Sequence, residues 1–371
     1  MLTWVEVSKS AIKHNLAQFK RLIGSQVLLM PVVKSNAYGH GIVEVAKICD
    51  GDKNVDRICV IDLNEALELI SNGIKKPVMI LSFYELDEKK LKIAIQHKVI
   101  FPVYSKDQIN CLNKVASRLR TKVAIHLKID TGTTRVGILP NQAVTFVKKI
   151  SKLRYLYLEG IWSHFASSES DHAYTQKQLA IFNKVVEVIE KEGTIIPIKH
   201  FACSAATALH PVARFNAVRL GLSTYGLYPD KKSKENITLK PALSLNTKII
   251  QVKTVPTNTK VGYGGTYTTK QPTKIAVLPM GYWDGIDRRL SNIGEVIVKG
   301  KKCPIRGRIC MNLTMIDVTK IKNVKTGDTV TFIGRQGKEY ISADEVANKV
   351  GTINYELVDR INPQIKRIIT K

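Results

Sequence analysis

The sequence predicts an α/β fold in which an eight-stranded β/α barrel of the TIM type is followed by a mostly β C-terminal domain. Before Pro229, short apolar, β-branched runs alternate with longer amphipathic stretches, as in parallel strands covered by helices. Eight such repeats in about 200 residues fit a β/α barrel in size. Beyond Pro229, period-2 alternation and glycine-containing turns replace this pattern and predict a separate β domain.

Eight apolar runs are predicted as the barrel strands. They are Val27–Lys34, Arg57–Asp62, Pro77–Ser82, Lys98–Val103, Lys122–Asp130, Tyr155–Phe165, Ile198–Cys203 and Ala217–Leu220. The stretches between them place apolar residues three or four positions apart, as amphipathic helices do. These predicted helices are Ile42–Cys49, Leu63–Asn72, Asp87–His97, Lys106–Leu119, Asn141–Lys152 and Ala173–Lys191.

The C-terminal part is predicted as strands with one short helix. The strands are Ser244–Val252, Lys274–Pro279, Gly294–Val298, Cys303–Ile309, Thr314–Val318 and Asp328–Ile333, and the helix is Ser342–Val350. The charged stretch Asp230–Asn236 is the expected linker. The predicted domains are therefore the barrel at 10–229 and the β domain at 237–371, with an N-terminal strand in residues 1–9 expected to pair with the β domain.

Composition narrows the classes of function. The 57 Lys and Arg against 31 Asp and Glu give a formal net charge of +26, but the hydrophobic fraction of 44% excludes a disordered chain. The lysines are spread along the whole chain, and their densest clusters lack interleaved aromatic residues that stack bases. A solvated basic surface is therefore favoured over the binding of nucleic acid.

The chain shows no signal for a membrane or a metal. No run of about 18 apolar residues predicts a membrane span, and the start MLTWVEVSKS lacks the pattern of a signal peptide. The six cysteines are scattered, with no CxxC pair and no histidine at metal-ligand spacing. Reduced thiols, no metal site and a cytoplasmic protein are expected.

Basic groups follow the predicted barrel strands at their carboxyl ends. Lys34 ends the first strand, the fifth contains Lys128 and is followed by Arg135, the sixth ends at His164, and the eighth leads to Arg219 and Gly221. Because catalytic residues of such barrels lie at these strand ends, the groups are expected to meet at one mouth and bind an anion.

Lys34 is the candidate nucleophile among these groups. A lysine buried at a strand end loses hydration, so its pKa falls and its amine can form an imine. A lysine reaching solvent at the barrel rim is the alternative. The small, glycine-flanked loop that follows, Ser35–Gly41, favours the nucleophile. Ser204 and Gly221 offer a hydroxyl and close backbone approach where such barrels bind phosphate.

Several segments match the motifs of one known family. They are KSNAYGHG (34–41), HLKIDTG (126–132), WSHFA (162–166), SAAT (204–207), VRLG (218–221), GYG (262–264), GRICM (307–311) and NYE (354–356). In this order and spacing, the chain closely resembles the alanine racemase family over essentially its whole length. The resemblance implies a pyridoxal 5'-phosphate enzyme that converts L-alanine to D-alanine for peptidoglycan, working as a homodimer in which each site is shared between subunits.

The resemblance also implies residue roles. Lys34 would hold the cofactor and act as base on one face of the substrate, and Tyr263 would act on the opposite face. Arg219 would meet the ring nitrogen, and His164 would lie near the ring and link Arg219 to Tyr263. Phosphate binding falls to Tyr38, Ser204, Gly221, Leu222 and Tyr355, and substrate binding to Arg135 and Met311.

Some features leave alternatives open. Lys128 resembles a position that the family often carbamylates, and both the modified and the unmodified forms stay open. Cys203 stands where the family usually has Asn, and Asn312 where it usually has Asp. A racemase of broader or different specificity, for serine or basic amino acids, is therefore an alternative. A non-catalytic pyridoxal phosphate-binding barrel protein is another, but such proteins lack a β domain with the opposing tyrosine.

Overall fold

The computed structural model describes residues Met1–Lys371 and divides them into two compact units. The barrel unit comprises Ala11–Ala37 and Val45–Pro241. The β unit comprises Met1–Ser10, Tyr38–Glu44 and Ala242–Lys371. No helix in the chain combines the length and the apolar character that crossing a bilayer requires.

Eight short parallel strands form the centre of the barrel unit. They are β2 (Leu28–Pro31), β3 (Ile58–Val60), β4 (Val78–Ile80), β5 (Phe101–Val103), β6 (Val123–Lys128), β7 (Leu156–Trp162), β8 (Ile198–His200) and β9 (Ala217–Leu220). Six pair in the order β2-β9-β8-β7-β6-β5, and β3 pairs with β4. Single bridges, Val32 to Cys59 and Met79 to Ile100, join the two groups into a ring. The predicted barrel is confirmed.

Nine helices accompany these strands in sequence, the first before β2, the last after β9 and the others between strands. They are α1 (Lys9–Ile23), α2 (Ile42–Asp50), α3 (Leu63–Ser71), α4 (Glu88–Gln96), α5 (Lys106–Leu119), α6 (Ala143–Ser151), α7 (His172–Lys191), α8 (Ser204–Leu209) and α9 (Ser233–Asn236). The first two, α1 and α2, begin in segments of the β unit. Helix α1 was not predicted, although it buries Ile12, Leu16 and Phe19 at helical spacing. Helix α9 lies in the stretch predicted as a linker, and the Asp230 side chain accepts from the Ser233 backbone at its start.

The β unit consists of three sheets and two helices. Its strands are β1 (Thr3–Ser8), β10 (Leu243–Lys248), β11 (Gln251–Val255), β12 (Lys260–Val261), β13 (Tyr267–Thr268), β14 (Thr273–Leu278), β15 (Glu295–Val298), β16 (Lys301–Pro304), β17 (Thr314–Asp317), β18 (Thr329–Gln336), β19 (Glu339–Ile341) and β20 (Arg367–Thr370), and its helices are α10 (Ala343–Lys349) and α11 (Asn354–Asp359). The main sheet has the order β16-β15-β18-β10-β1-β20, with β19 on β18. The others are β11-β14-β17 and β12-β13.

One predicted strand of the β unit is wrong. The run Ser244–Val252 is not one strand but parts of β10 and β11, which belong to different sheets. The chain changes sheet between Ile249, whose N–H donates to the Asp328 carbonyl, and Ile250, whose N–H donates to the Val277 carbonyl. The apolar positions shift phase at this point, from Leu245 and Ile249 to Ile250 and Val252, and reading the run as one strand overlooks that shift.

Candidate active site

Lys34 follows β2 and begins a left-handed turn. Ser35, Asn36, Ala37 and Tyr38 have φ angles of 54°, 53°, 52° and 52°. Non-glycine residues in this conformation cost about 1–2 kcal/mol each, so a run of four persists only where the surroundings impose it. Strain of this kind is concentrated at functional sites, which agrees with the prediction that Lys34 is a reactive group.

Glu65, on the first turn of α3, holds the start of this turn. Its carboxylate accepts from the backbone N–H of Ser35 at 2.7 Å and of Ile61 at 2.8 Å. Burial raises the pKa of Glu65, and the two backbone hydrogen bonds and the charge of Lys34 oppose that rise. Sequence reasoning missed this residue, although Asp62 and Glu65 have the three-residue spacing of a helix-capping pair.

A second carboxylate, Asp130, holds the loop that carries Arg135. Its oxygens accept from four successive backbone N–H groups, those of Gly132, Thr133, Thr134 and Arg135, at 2.9 to 3.1 Å. Burial alone would raise the pKa of Asp130, but these hydrogen bonds outweigh it and lower the pKa. Arg135 is exposed, so its backbone is fixed while its side chain stays accessible.

Lys128 is a buried cation at the end of β6. It is 2% exposed, and its ammonium lies 3.6 Å from the centre of the Trp162 ring. Burial, together with the charges of Arg219 and Arg135, holds the pKa of Lys128 well below its usual range. The amine is therefore far easier to deprotonate than an ordinary lysine, and the neutral amine is the form that reacts with carbon dioxide.

Arg219 lies on β9 and is 3% exposed. Its Nη1 lies 2.5 Å from His200 Nδ1, and its Nη2 donates to the carbonyls of Ser163 and Phe201 at 2.8 and 3.0 Å. These partners are all neutral. Burial lowers the pKa of Arg219 to about 10, so it keeps its charge at neutral pH.

The side chain of His164 lies beside Arg219. The Arg219 Nη2 is 3.3 Å from His164 Nδ1. Burial, followed by the charges of Arg219, Lys128 and Arg135, holds the pKa of His164 well below its usual range. The barrel mouth therefore carries several cations, and an anionic ligand would balance them.

Ser204 and Gly221 meet at the start of helix α8. The Ser204 hydroxyl is buried and accepts from the Gly221 N–H at 3.0 Å. Leu222 follows and is 1% exposed. The hydroxyl and the backbone therefore lie together at the position where barrels of this type bind phosphate.

The β unit presents Tyr263 on a glycine turn. Gly262 and Gly264 on either side have φ angles of 69° and 71°. A Cβ on Gly262 would lie 2.8 Å from Met315 Cε, and one on Gly264 would lie 2.8 Å from Arg308 Nη1. These contacts are with the ends of flexible side chains, so it is mainly the positive φ angles that favour glycine at both positions. The Tyr263 side chain between them is 71% exposed.

Met311 belongs to an exposed apolar surface of the β unit. Its carbonyl accepts from the Trp283 N–H, and the carbonyl of Cys310 accepts from the Tyr282 N–H. Exposed side chains here include Tyr282 at 43%, Trp283 at 58% and Met311 at 55%. Tyr263 shares this exposure, and we refer to Tyr263, Tyr282, Trp283 and Met311 together as the exposed tyrosine face.

Tyr38 and Tyr355, the other predicted phosphate ligands, also belong to the β unit. Their ring centres are 6.2 Å apart. Within the barrel unit the structure therefore brings the predicted basic residues together, and within the β unit it brings Tyr38 and Tyr355 together. No cluster of three or more metal-ligating side chains is present.

Comparison with known families covers almost the whole chain. Residues 7–229 match the model of the N-terminal domain of alanine racemase, and residues 242–369 match that of its C-terminal domain. A curated alanine racemase from Methanococcus maripaludis is 45% identical over 368 residues, which is 98% of each chain.

Solved structures give the same result at the level of the fold. An alanine racemase from Clostridium difficile is 35% identical with a TM-score of 0.93, covering 100% of this chain and 96% of its own. A histidine racemase from Leuconostoc mesenteroides is 26% identical with a TM-score of 0.90, and the match covers 100% of this chain and 98% of that structure. The fold is therefore shared by racemases that are named for different amino acids.

Proposed function

The chain belongs to the alanine racemase family, and from this premise we propose that it interconverts L- and D-alanine with pyridoxal 5'-phosphate as its cofactor. The observation that carries the proposal is the basic barrel mouth. There, burial and the charges of Arg219, Lys128 and Arg135 lower the pKa of His164. Such a mouth fits an anionic cofactor and a substrate carboxylate. The D-alanine formed would supply peptidoglycan precursors.

The donor set fits this cofactor. Lys34 would bind its aldehyde carbon, and Arg219, which has neutral partners and keeps its charge, would donate to its ring nitrogen. The phosphate would be bound by Ser204, the backbone of Gly221 and Leu222, Tyr38 and Tyr355. The bound cofactor would stabilise the negative charge that develops at the substrate Cα.

The proton transfers fall to two residues. Lys34 Nζ would remove or return the Cα proton on one face, and Tyr263 Oη would do so on the other, because inversion needs proton exchange on opposite faces. Arg135 and the backbone of Met311 would orient the substrate carboxylate. Asp130 supports this role of Arg135, because it fixes the Arg135 backbone while leaving the side chain exposed.

We propose that the working unit is a homodimer in which each site is shared. The exposed tyrosine face supports this, since a proton-transfer group that is 71% exposed is poorly shielded from water. A second copy covering this face would exclude water and place the partner's Tyr263 opposite Lys34, as two-fold symmetry allows. All six cysteines are free thiols, which supports a reducing compartment such as the cytoplasm.

We also propose that Lys128 is carbamylated. An unmodified ammonium would stay buried and repelled by the charges of Arg219 and Arg135, whereas a carbamate would turn this repulsion into attraction and orient Arg135. Intact mass and crystallographic density in bicarbonate, against carbon dioxide-free buffer, test the modification. An unmodified lysine in both would contradict it.

Assays on a panel of L-amino acids test the function. We expect alanine to be racemised with a kcat/KM at least about tenfold above those for serine, histidine and lysine, a margin of about 1.4 kcal/mol. The departures at Cys203 and Asn312 and the named histidine racemase make other specificities the second candidate. Racemisation of another amino acid but not alanine would favour that candidate, and racemisation of none would overturn the proposal.

Borohydride reduction tests the cofactor. The purified protein should be yellow, and reduction should fix the cofactor covalently to Lys34, which peptide mapping can locate. Labelling of another lysine, or of none, would overturn the assignment. A pyridoxal phosphate-binding barrel without catalysis would be labelled at Lys34 but would racemise nothing.

A further inference from the structure

A chain of hydrogen bonds runs from Arg219 through the barrel core to a distant carboxylate. Arg219 Nη1 is 2.5 Å from His200 Nδ1, His200 Nε2 is 2.8 Å from His126 Nδ1, and His126 Nε2 is 2.9 Å from Glu159 Oε2. Both histidines are fully buried. The chain therefore joins the proposed partner of the cofactor ring to a side chain of strand β7 without passing through solvent.

The two ends of this chain fix its protons. A guanidinium can only donate, so His200 Nδ1 must accept and His200 Nε2 must carry the proton. His126 Nδ1 must then accept, and His126 Nε2–H must donate to the Glu159 carboxylate. Only this arrangement, with both histidines neutral, satisfies all three hydrogen bonds.

The charge states agree with this arrangement. Burial, reinforced by the charge of Arg219, holds the pKa of His200 well below its usual range, and burial also lowers the pKa of His126. Burial alone would raise the pKa of Glu159, but the hydrogen bonds from His126 and Arg57 lower it to about 2. Glu159 is therefore an ionised acceptor at neutral pH.

Arg57 balances the charge of Glu159. Its guanidinium binds both carboxylate oxygens, at 2.7 and 2.9 Å. Arg57 Nη1 also lies 3.5 Å from His126 Nε2, but both groups are much closer to the carboxylate between them. The far end of the chain is thus a neutral ion pair that accepts one further hydrogen bond.

The backbone places Glu159 for this contact. On β6 and β7, Ile125 pairs with Leu158 and His126 with Gly160, so Glu159 is the extra residue of a β-bulge. A bulge redirects a side chain from the regular alternation. A Cβ on Gly160 would lie 2.5 Å from the His126 ring, so glycine at this position makes room for the ring.

We propose that Glu159 is a positioning residue, which through His126 and His200 fixes the orientation of the Arg219 guanidinium. The inference rests on the proposed function for the role of Arg219, but the proton arrangement can be tested separately. Neither histidine nor Glu159 was among the residues predicted from sequence. The bulge, Gly160 and the bidentate Arg57 together account for this polar chain within the barrel.

Nitrogen NMR of the histidine rings tests the proton arrangement directly. The purified protein is labelled with [15N]histidine, and the signals of His126 and His200 are assigned with single His126→Asn and His200→Asn variants. We expect both rings to be neutral with the proton on Nε2. A proton on Nδ1 of His200, or a charged ring at either position, would overturn the proposal without any variant of Glu159.

Two variants separate positioning from a merely structural role. In Glu159→Gln the amide oxygen can still accept from His126. The signals of both rings should therefore stay unchanged, and kcat/KM should stay within about threefold of wild type. In Glu159→Leu no acceptor remains, so Nδ1-protonated rings should appear and kcat/KM should fall about 10- to 100-fold, as for other outer-shell partners. The matched control is Glu190→Gln, which removes the surface ion pair with Lys199. It should change neither the ring signals nor kcat/KM.

The remaining outcomes are decisive. Unchanged ring signals in Glu159→Leu, with or without a loss of kcat/KM, would overturn the proposal, and so would altered signals with unchanged kcat/KM. If Glu159→Leu does not fold, the wild-type signals and Glu159→Gln still decide. If the ring signals are as expected but the protein racemises no amino acid, the proton arrangement is supported and the proposed function is overturned.

Discussion

The two units hold their predicted site residues in opposite ways. In the barrel unit, Lys128 and Arg219 are 2% and 3% exposed, and burial shifts the pKa of both. In the β unit, Tyr263 and Met311 are 71% and 55% exposed and are placed by glycine turns and backbone hydrogen bonds. Burial within the barrel unit therefore sets the charge states of Lys128 and Arg219, whereas Tyr263 and Met311 of the β unit are exposed, which is what the proposed dimer requires.

The largest expected difference concerns the two proton-transfer residues. Lys34→Ala and Tyr263→Phe should each reduce racemisation by about 10²–10⁴-fold, the usual contribution of a general acid or base. Only Lys34→Ala should also abolish covalent cofactor attachment, since Tyr263 belongs to the other face. Rates and absorbance spectra of both variants test this. Loss of attachment in Tyr263→Phe would contradict the division of roles.

The ionised carboxylate of Glu159, which is partly buried in the barrel unit, should make stability sensitive to acid. The pKa of Glu159 is about 2 in the folded chain against 4.5 ordinarily, so it stabilises the fold above pH 4.5 and this contribution is lost as the pH falls toward 2. The shift corresponds to about 3 kcal/mol at neutral pH. Urea unfolding should therefore show Glu159→Gln less stable than wild type at pH 7, with a difference that shrinks below pH 5. A difference independent of pH would contradict this.

Replacing Lys128 should stabilise the barrel while weakening its function. Lys128→Met removes a buried cation, and in carbon dioxide-free buffer we expect a gain of about 1–2 kcal/mol, at the low end for such replacements. The pKa of Lys128 is lower in the folded than in the unfolded chain, so wild type loses stability as the pH falls below 10.5. The stability that Lys128→Met gains over wild type should therefore increase as the pH falls. In bicarbonate, Lys128 of wild type should be carbamylated, and the difference in stability between Lys128→Met and wild type should become smaller. A destabilised Lys128→Met would show that the ammonium has a partner that offsets its burial.

The smallest effect is expected on the exposed tyrosine face. Tyr263→Ala should change the free energy of unfolding of a dilute, monomeric chain by less than about 0.5 kcal/mol, as exposed positions usually do. The control Tyr225→Phe affects a fully buried residue whose hydroxyl donates to the Val32 carbonyl, and should cost about 1–3 kcal/mol. Equal costs would mean that Tyr263 is covered within its own chain.

Sequence patterns predicted the barrel well because each strand is a short apolar run between amphipathic helices. They failed where the determinant is not local. The change of sheet between Ile249 and Ile250 appears in the sequence only as a shift in the phase of the alternation, and Glu159 lies at a bulge that depends on the pairing of β7 with β6. The domain boundaries at residues 229 and 237 stay predictions.

The site was predicted in part. Strand ends and family motifs indicated Lys34, Lys128 and Arg219, and the structure gathers the basic groups of the barrel unit around Arg219. The carboxylates that support them, Glu65 and Asp130, were missed, because their partners are backbone N–H groups whose positions exist only in the folded chain. The roles of all these residues stay proposals until variants are measured.

Mixing two inactive variants tests most directly whether the two units work together across a dimer. Lys34→Ala chains are combined with Tyr263→Phe chains under conditions in which subunit exchange is shown by mass. Half of the randomly paired dimers are then mixed, and one of their two sites has both residues intact, so activity should return to about a quarter of wild type. No recovery, although mixed dimers are present, would contradict the account, because each chain would then build its site alone.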